Sequence, residues 1–311
     1  MARIELTLIF IPIIPEYIET ALKTLYEKAP SGLNFRVIVV DQTRDGIYNL
    51  VKDYADLIIR NPRRINLGFA KANNEGILHA LHWGSKYIAA VNDDIVFLDP
   101  RWYSGILSQF ETYSEMLAVC PASPIEPGWG YGLGSDGKWI TGNSCPDWGV
   151  VVGENIYPKD HDGKPIMIEE ARTEEGYDKL LAHRQGHIEG FAGWFVVGKN
   201  EMWTKVGLYD ERFGPGGGED YDYVHRIYCA GGRASATMRS FVWHHWSKSR
   251  ESVGTRNDFI PYSRKTFQDT NALFKFSKKG ANSPIFPPRE NEPLGNKRKR
   301  KSVGIFIDDP R

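Results

Sequence analysis

Tyr87-Ile88-Ala89-Ala90-Val91-Asn92-Asp93-Asp94 is the stretch whose reading decides the fold. Its mostly apolar first five residues predict a buried strand, and two adjacent carboxylates stand where that strand ends. In an open α/β sheet, ligands bind in the crevice beyond the carboxyl ends of the strands. Two acids in such a place repel each other unless a cation or a set of donors compensates them. A hard divalent ion that also holds a substrate diphosphate is one such arrangement. A plain turn is the competing reading, because Asp99-Pro100 follows and Asp favours turns.

Upstream, Leu6–Ile11 is an apolar run of strand length, and Tyr17, Ile18, Ala21, Leu22 and Leu25 recur at helical spacing as far as Lys28. Phe35–Val40 is a second strand ending on Asp41, and Leu57–Arg60 a third. Asn66–Gly76 opens a helix to about Trp83, with Gly68 permitting close approach of a ligand and the helix start offering unpaired N–H groups. Arg101–Tyr113 reads as a helix. Strands alternating with helices imply an α/β fold with a mostly parallel, doubly wound sheet.

Downstream, the periodicity is lost from Pro121 to His187, where Gly, Pro, Trp and Tyr are dense. A loop-rich segment this long is more often functional than idle. Its aromatic rings suit the faces of sugars, or equally a small satellite core. Regularity returns with Gly190-Phe191-Ala192-Gly193, a strand Trp194–Val197 and a short helix around Glu201–Val206. Gly214-Pro215-Gly216-Gly217-Gly218 then leads into Glu219-Asp220-Tyr221-Asp222 and a helix to about Ala230. Acids in a first helical turn complement the dipole. Four glycines before them exceed what a cap needs and suggest backbone that bends around something bound. Phe241–Ser247 is a strand carrying His244 and His245, read either as hydrogen-bonded core imidazoles or as ligands completing a metal site begun by Asp94.

The chain has 311 residues, 41% of them hydrophobic and 25% charged, the composition of an ordinary globular protein. Folding can bury roughly 75% of the unfolded surface at this length, so no disulfide or metal staple is required. Lysine plus arginine and aspartate plus glutamate are balanced at 39 each, and whole-chain charge identifies no partner. Cys120, Cys145 and Cys229 are dispersed, which argues against a zinc site and for a reducing compartment. Leu6–Ile14, interrupted by Pro12, is read as a core strand rather than a membrane span or secretion signal. Beyond about Pro261 the chain turns polar and proline-rich and ends near the cationic run Lys297–Lys301. That run is a solvated segment, or a contact for a polyanion or an anionic membrane.

Taken in order, Val37–Asp41, Asn66–Gly76, Asn92-Asp93-Asp94, Gly190–Gly193, Val206–Phe213, Glu219–Asp222, Arg226, Gly231 and His244-His245 resemble a family 2 glycosyltransferase of the GT-A fold, in its rhamnosyltransferase-like branch. The resemblance covers residues 4–250 and implies a transferase domain over 1–260, with 121–189 as its acceptor segment and 261–311 as a tail. It implies that Asp41 holds the base of a nucleotide-sugar donor (UDP-, dTDP- or GDP-linked), with Asn66, Gly68, Lys71, Asn92 and Asp93 also lining the donor site. Asp94, with His244 or His245, would hold Mn2+ or Mg2+. Asp220, beside Glu219, would be the base.

The chemistry agrees with that assignment. Inverting transfer needs one carboxylate to accept the acceptor hydroxyl's proton and positive charge on the departing diphosphate. The motif departs from Asp-x-Asp at Asn92, and the Asp41-to-Asp45 spacing is one residue tight. A non-catalytic carbohydrate- or nucleotide-binding protein on the same scaffold is the alternative. Glycan, lipid-linked sugar, protein and modified nucleic acid are all open as acceptors. The expected location is cytoplasmic, with peripheral membrane contact through the basic run as the variant.

Overall fold

The computed structural model describes residues 4–60, 66–127, 132–133, 139–140, 149–152, 155–183, 187–213 and 218–245. The expectations for Gly214–Gly217, Trp246-Ser247, Cys145, the 261–311 tail and its Lys297–Lys301 run lie outside those residues. The strands are β1 (Leu6–Phe10), β2 (Phe35–Asp41), β3 (Leu57–Arg60), β4 (Tyr87–Val91), β5 (Ile95–Phe97), β6 (Met116–Ala122), β7 (Glu126–Pro127), β8 (Gly132–Leu133), β9 (Trp139–Ile140), β10 (Gly149–Val152), β11 (Asn155–Pro158), β12 (His187–Glu189), β13 (Phe195–Lys199) and β14 (Arg233–His244). The helices are α1 (Pro15–Lys28), α2 (Tyr48–Val51), α3 (Phe69–His82), α4 (Trp102–Thr112), α5 (Ile168–Ala171), α6 (Glu174–His183), α7 (Asn200–Lys205) and α8 (Glu219–Cys229).

The main sheet runs β12-β14-β6-β13-β4-β1-β2-β3, with β5 attached to β14. Its half from β4 through β1 and β2 to β3 is parallel, as the alternation of strands and helices requires. β13 is antiparallel to both β4 and β6, while β14 lies parallel to β6, so the other half is mixed. β1, β4, β6 and most of β2 and β13 are near-continuous apolar runs because both faces are covered there. Leu6, Leu8 and Phe10 pack beneath α1 and α4 with Ile18, Leu22, Trp102 and Ile106. Ile9 faces the other side with Ile77, Trp203, Val224 and Ile227 from α3, α7 and α8. α1 shows why such a helix forms here: Pro15 presets its first turn, Glu16 and Lys28 complement its dipole, and Ile18, Ala21, Leu22 and Leu25 form its buried stripe.

Two expectations are corrected. The segment from Pro121 to His187 is not patternless. It contains a β10–β11 hairpin and α6, whose Tyr177 and Leu180 are buried with Phe241 and Trp243. α6 was hidden because those two residues carry its packing while Glu174, Glu175 and Asp178 leave it otherwise polar. The last strand is also longer than Phe241 onward. β14 starts at Arg233, and its extra length buries Ala234, Ser235, Thr237 and Ser240, small and hydroxyl-bearing residues that give no apolar signal. Among the described residues, no helix is long and apolar enough to cross a membrane.

α8 is fixed by a buried ion pair. Arg226 Nε donates to Asp222 Oδ2 at 2.8 Å, and Nη1 donates to the Val206 and Leu208 carbonyls. Both side chains are almost fully buried. Removing one partner strands the other charge in the core. Asp222→Ala is therefore expected to cost about 3–5 kcal/mol of stability, read as a lower denaturant midpoint; a change below about 1 kcal/mol, the scale of an exposed pair, would show that the pair holds nothing.

Candidate functional site

The carboxyl ends of β1, β2 and β4 form one edge, and the predicted residues gather there. β4 stops at Val91, and Asn92 continues it by donating its N–H to the Trp194 carbonyl at 2.8 Å. The chain then turns through Asp93-Asp94 into β5. β5 pairs antiparallel with the end of β14, placing Ile95 opposite His244. The His245 N–H donates to the Asp94 carbonyl at 2.9 Å. This pairing sets His244 Nε2 3.2 Å from Asp94 Oδ1 and 3.5 Å from Asn92 Nδ2. His244, rather than His245, faces Asp94; the His245 ring lies 5.8 Å from Tyr17 at the start of α1.

The two adjacent aspartates do different work. Asp93 Oδ2 accepts the Ile13 and Ile14 N–H groups at 3.0 and 3.4 Å. That places a carboxylate at the positive end of α1 and ties the β1–α1 loop to the end of β4. Asp94 is buried, and its Oδ1 faces His244 Nε2 at 3.2 Å. Burial pushes the Asp94 carboxyl up, but the neighbouring His244, backbone polarity and His245 outweigh it, and the net direction is down.

Asp220 stands in the first turn of α8, after Gly218 in the left-handed conformation (φ 101°). Its Oδ2 accepts the Gly193 N–H at 3.1 Å. A Cβ on Gly193 would lie 3.1 Å from the Asp220 Cβ and 3.4 Å from the Phe69 ring, so a larger residue would push the two segments apart by a few tenths of an ångström. Glu219 beside it is buried. The next residue after Gly193 is Trp194, whose ring stacks on His244 with centroids 4.7 Å apart and planes 10° apart. Gly193 and Trp194 thus join the Asp220 carboxylate to the Asp94–His244 pair. Sequence reading took Trp194 only as the start of a strand; a bulky aromatic directly after the Gly190-Phe191-Ala192-Gly193 segment was the available signal.

Asp41 is buried at the end of β2, and its carboxylate accepts hydrogen bonds from the Thr43 N–H, the Thr43 hydroxyl and the Ile47 N–H. It organises its own loop. Gln42, which sequence reading passed over, bridges three segments by donating to the Ile11 carbonyl and accepting the Leu67 N–H. Asn66 Oδ1 accepts the Gly68 N–H at 2.7 Å, and Gly68 (φ 84°) precedes α3. Lys71 is exposed on the first turn of α3. Asn74, one turn on, exchanges two hydrogen bonds with the Tyr209 backbone and a third with Glu211, which locks the 206–213 segment against α3.

A divalent cation fits the Asp94–His244 pair. Adjacent ligand atoms of an octahedral ion bound at about 2.1 Å lie about 3.0 Å apart, close to the 3.2 Å seen. An imidazole beside the carboxylate suits a first-row transition ion such as Mn2+ better than Mg2+. Among the described residues, Asp160, His161 and Asp162 also bring ligand atoms within 4.8 Å of one another. They form a turn in which Asp160 Oδ1 already accepts the Asp162 and Lys164 N–H groups.

The lowered pKa of Asp94 carries a stability consequence. A carboxyl depressed on folding adds stability above its unfolded value of about 3.9, and that contribution is lost as pH falls through the folded value. In chelator-treated protein, the Tm gap between wild type and Asp94→Asn should shrink as pH is lowered through about 4. A gap independent of pH would mean that the charge on Asp94 is not stabilised by its surroundings.

The fold agrees with known glycosyltransferase structures. The chain is similar to the mannosyltransferase PcManGT from Pyrobaculum calidifontis, solved with GDP-Man and Mn2+, at 15% identity and a TM-score of 0.51, covering 99% of this chain and 73% of that one. It is also similar to GalNAc-T7, solved with UDP, GalNAc and Mn2+, at 14% identity and a TM-score of 0.53. There it covers 99% of this chain but spans only 56% of the other. No curated protein matches by sequence. The chain has the GT-A fold, and its residues 9–142, which contain Asp41, the Asn66–Gly76 segment and Asn92-Asp93-Asp94, match the model of glycosyl transferase family 2.

Proposed function

We propose that this chain is a family 2 glycosyltransferase, metal-dependent and inverting, that moves a hexosyl or deoxyhexosyl group from a nucleoside-diphosphate sugar to a hydroxyl acceptor. One observation carries the reading: the consecutive residues Gly193 and Trp194 contact, respectively, the Asp220 carboxylate and the His244 ring that faces Asp94. The similar structures contain Mn2+ with a guanosine or uridine diphosphate species, which supports a donor and cation of that class here.

In this reading Asp220 accepts the acceptor hydroxyl's proton while that oxygen forms its bond to the anomeric carbon. The bond from that carbon to the donor phosphate breaks, and the nucleoside diphosphate leaves with the electron pair. The Gly193 N–H keeps the base oriented. Asp94 and His244 would hold Mn2+ in preference to Mg2+. The bound ion would supply positive charge for the leaving diphosphate. Asp41, Asn66, Gly68, Lys71 and Asn92 would line the donor side, Asp93 acting through the loop it ties to α1. His245 would stand at the rim with Tyr17, and Glu219 behind the base.

Acceptor choice would reside in 121–189. The core of that segment includes Val96 and Trp243, which come from the two strands that position His244, and Tyr157 lies 5.8 Å from Trp243. The rhamnosyltransferase-like branch, a cytoplasmic location and membrane or polyanion contact through Lys297–Lys301 belong to the same proposal.

Two measurements test it. A thermal-shift panel of UDP, GDP, dTDP and CMP, with and without Mn2+, should show one diphosphate stabilising the protein only with metal. Saturation at a hundredfold excess over Kd corresponds to about 2.7 kcal/mol. No shift with any member would favour a non-catalytic scaffold. Asp220→Asn should lower turnover at least about 100-fold, the lower range of general base catalysis, while nucleotide binding stays intact. Undiminished transfer by that variant would remove Asp220 from the mechanism.

A further inference from the structure

Trp194 neither donates nor accepts a proton in the chemistry just described, yet its ring stacks on His244 and its carbonyl accepts the Asn92 N–H. We propose that Trp194 is the positioning residue of the cation site: its indole fixes the plane of the His244 ring so that Nε2 points at Asp94 Oδ1 before any ion binds. This inference rests on the reading of Asp94 and His244 as ligands.

The backbone of His244 is already held by β5, opposite Ile95. That pairing sets the backbone and not the tilt of the imidazole plane, which lies against the Trp194 ring. Planes 10° apart with centroids 4.7 Å apart are the offset-stacked arrangement that aromatic pairs prefer. Turning the imidazole about its Cβ–Cγ bond would lift it from the indole and carry Nε2 away from Asp94.

The indole cannot follow such a turn. Trp194 is only 6% exposed, its carbonyl accepts the Asn92 N–H at 2.8 Å, and Phe195 beside it is registered against Val91 in the sheet. One residue thus fixes both the imidazole that would bind the ion and the backbone leading into Asp93-Asp94. A residue that orients a ligand contributes to metal affinity although it donates no atom, because an imidazole set in place loses less freedom on binding.

A core-filling role alone makes a different prediction, because leucine fills apolar space without offering a flat face. Trp194→Phe keeps an aromatic face and Trp194→Leu does not. Free Mn2+ is measured by electron paramagnetic resonance, with Mn2+ alone and with Mn2+ plus each nucleoside diphosphate, at temperatures where near-UV spectra show each variant folded. Trp194→Leu is expected to weaken Mn2+ binding roughly 10–100-fold, the range for residues that orient metal ligands. Trp194→Phe should retain most of the wild-type affinity. Nucleotide affinity measured in chelator should be the same in all three proteins. Equal affinity in Trp194→Leu and wild type would overturn the inference, and so would an equal loss in Trp194→Phe and Trp194→Leu. His244→Ala separates the two levels. If it binds Mn2+ as wild type does, the ligand reading itself falls; if it loses binding while Trp194→Leu keeps it, only the role of Trp194 falls.

Discussion

Three residue pairs between β5 and β14 are the contact on which the site depends. Ile95 opposite His244, Val96 opposite Trp243 and Phe97 opposite Val242 form the whole ladder, extended by the His245 N–H to the Asp94 carbonyl. Residues some 150 positions apart in sequence meet there. Without the ladder, Asp94 would sit in a turn with no imidazole near it. The ladder survives because its residues are buried from both sides. Ile95, Phe97 and Val242 belong to the core under α1 and α4, and Val96 and Trp243 to the core built with α6. A short antiparallel pair is marginal alone; packed between two cores it is held.

The parallel half of the sheet was legible because β1, β4 and most of β2 are buried on both faces and read as unbroken apolar runs, and the half-buried edge strand β3 is apolar too. β1, β2, β3 and β4 fall within a residue of the expected bounds, and so does α4, whereas α3 starts at Phe69, three residues after Asn66. The other half was less legible for a physical reason. The first part of β14 is buried largely through Ala, Ser and Thr, which carry little hydrophobic signal. α6 buries two large side chains, and β5 is three residues long. In each case tertiary packing supplies what local pattern lacks.

The site shows the same division. Residue types in order were enough to nominate Asp94, Asp220 and the two histidines. They could not say which histidine faces Asp94, because that depends on register across the β5–β14 ladder, where a slip of one residue reverses every side chain. The resemblance set Asp94 apart as an ion ligand from Asp93 in the donor lining, but the sequence did not show what Asp93 binds. Adjacent carboxylates look alike on paper, whereas in the fold one serves the Ile13 and Ile14 N–H groups and the other lies buried against an imidazole. Asp41 is a third case: its strand-end position was legible, but its hydrogen bonds to Thr43 and Ile47 were not.

That division of labour gives a physical account of Asn92. With Asp93 turned toward α1, the pocket beside His244 holds one buried carboxylate. A second one at position 92 would stand close to Asp94 in a poorly solvated place, where like charges raise each other's pKa and oppose ionisation. An amide at that position keeps a polar contact with His244 Nε2 without that repulsion. Under the proposed function, one carboxylate cancels half the charge of a divalent ion and leaves the other half for the donor diphosphate. The departure from two acids to one then trades affinity for the bare ion against attraction for the anionic leaving group, the charge that develops as the glycosidic phosphate bond breaks.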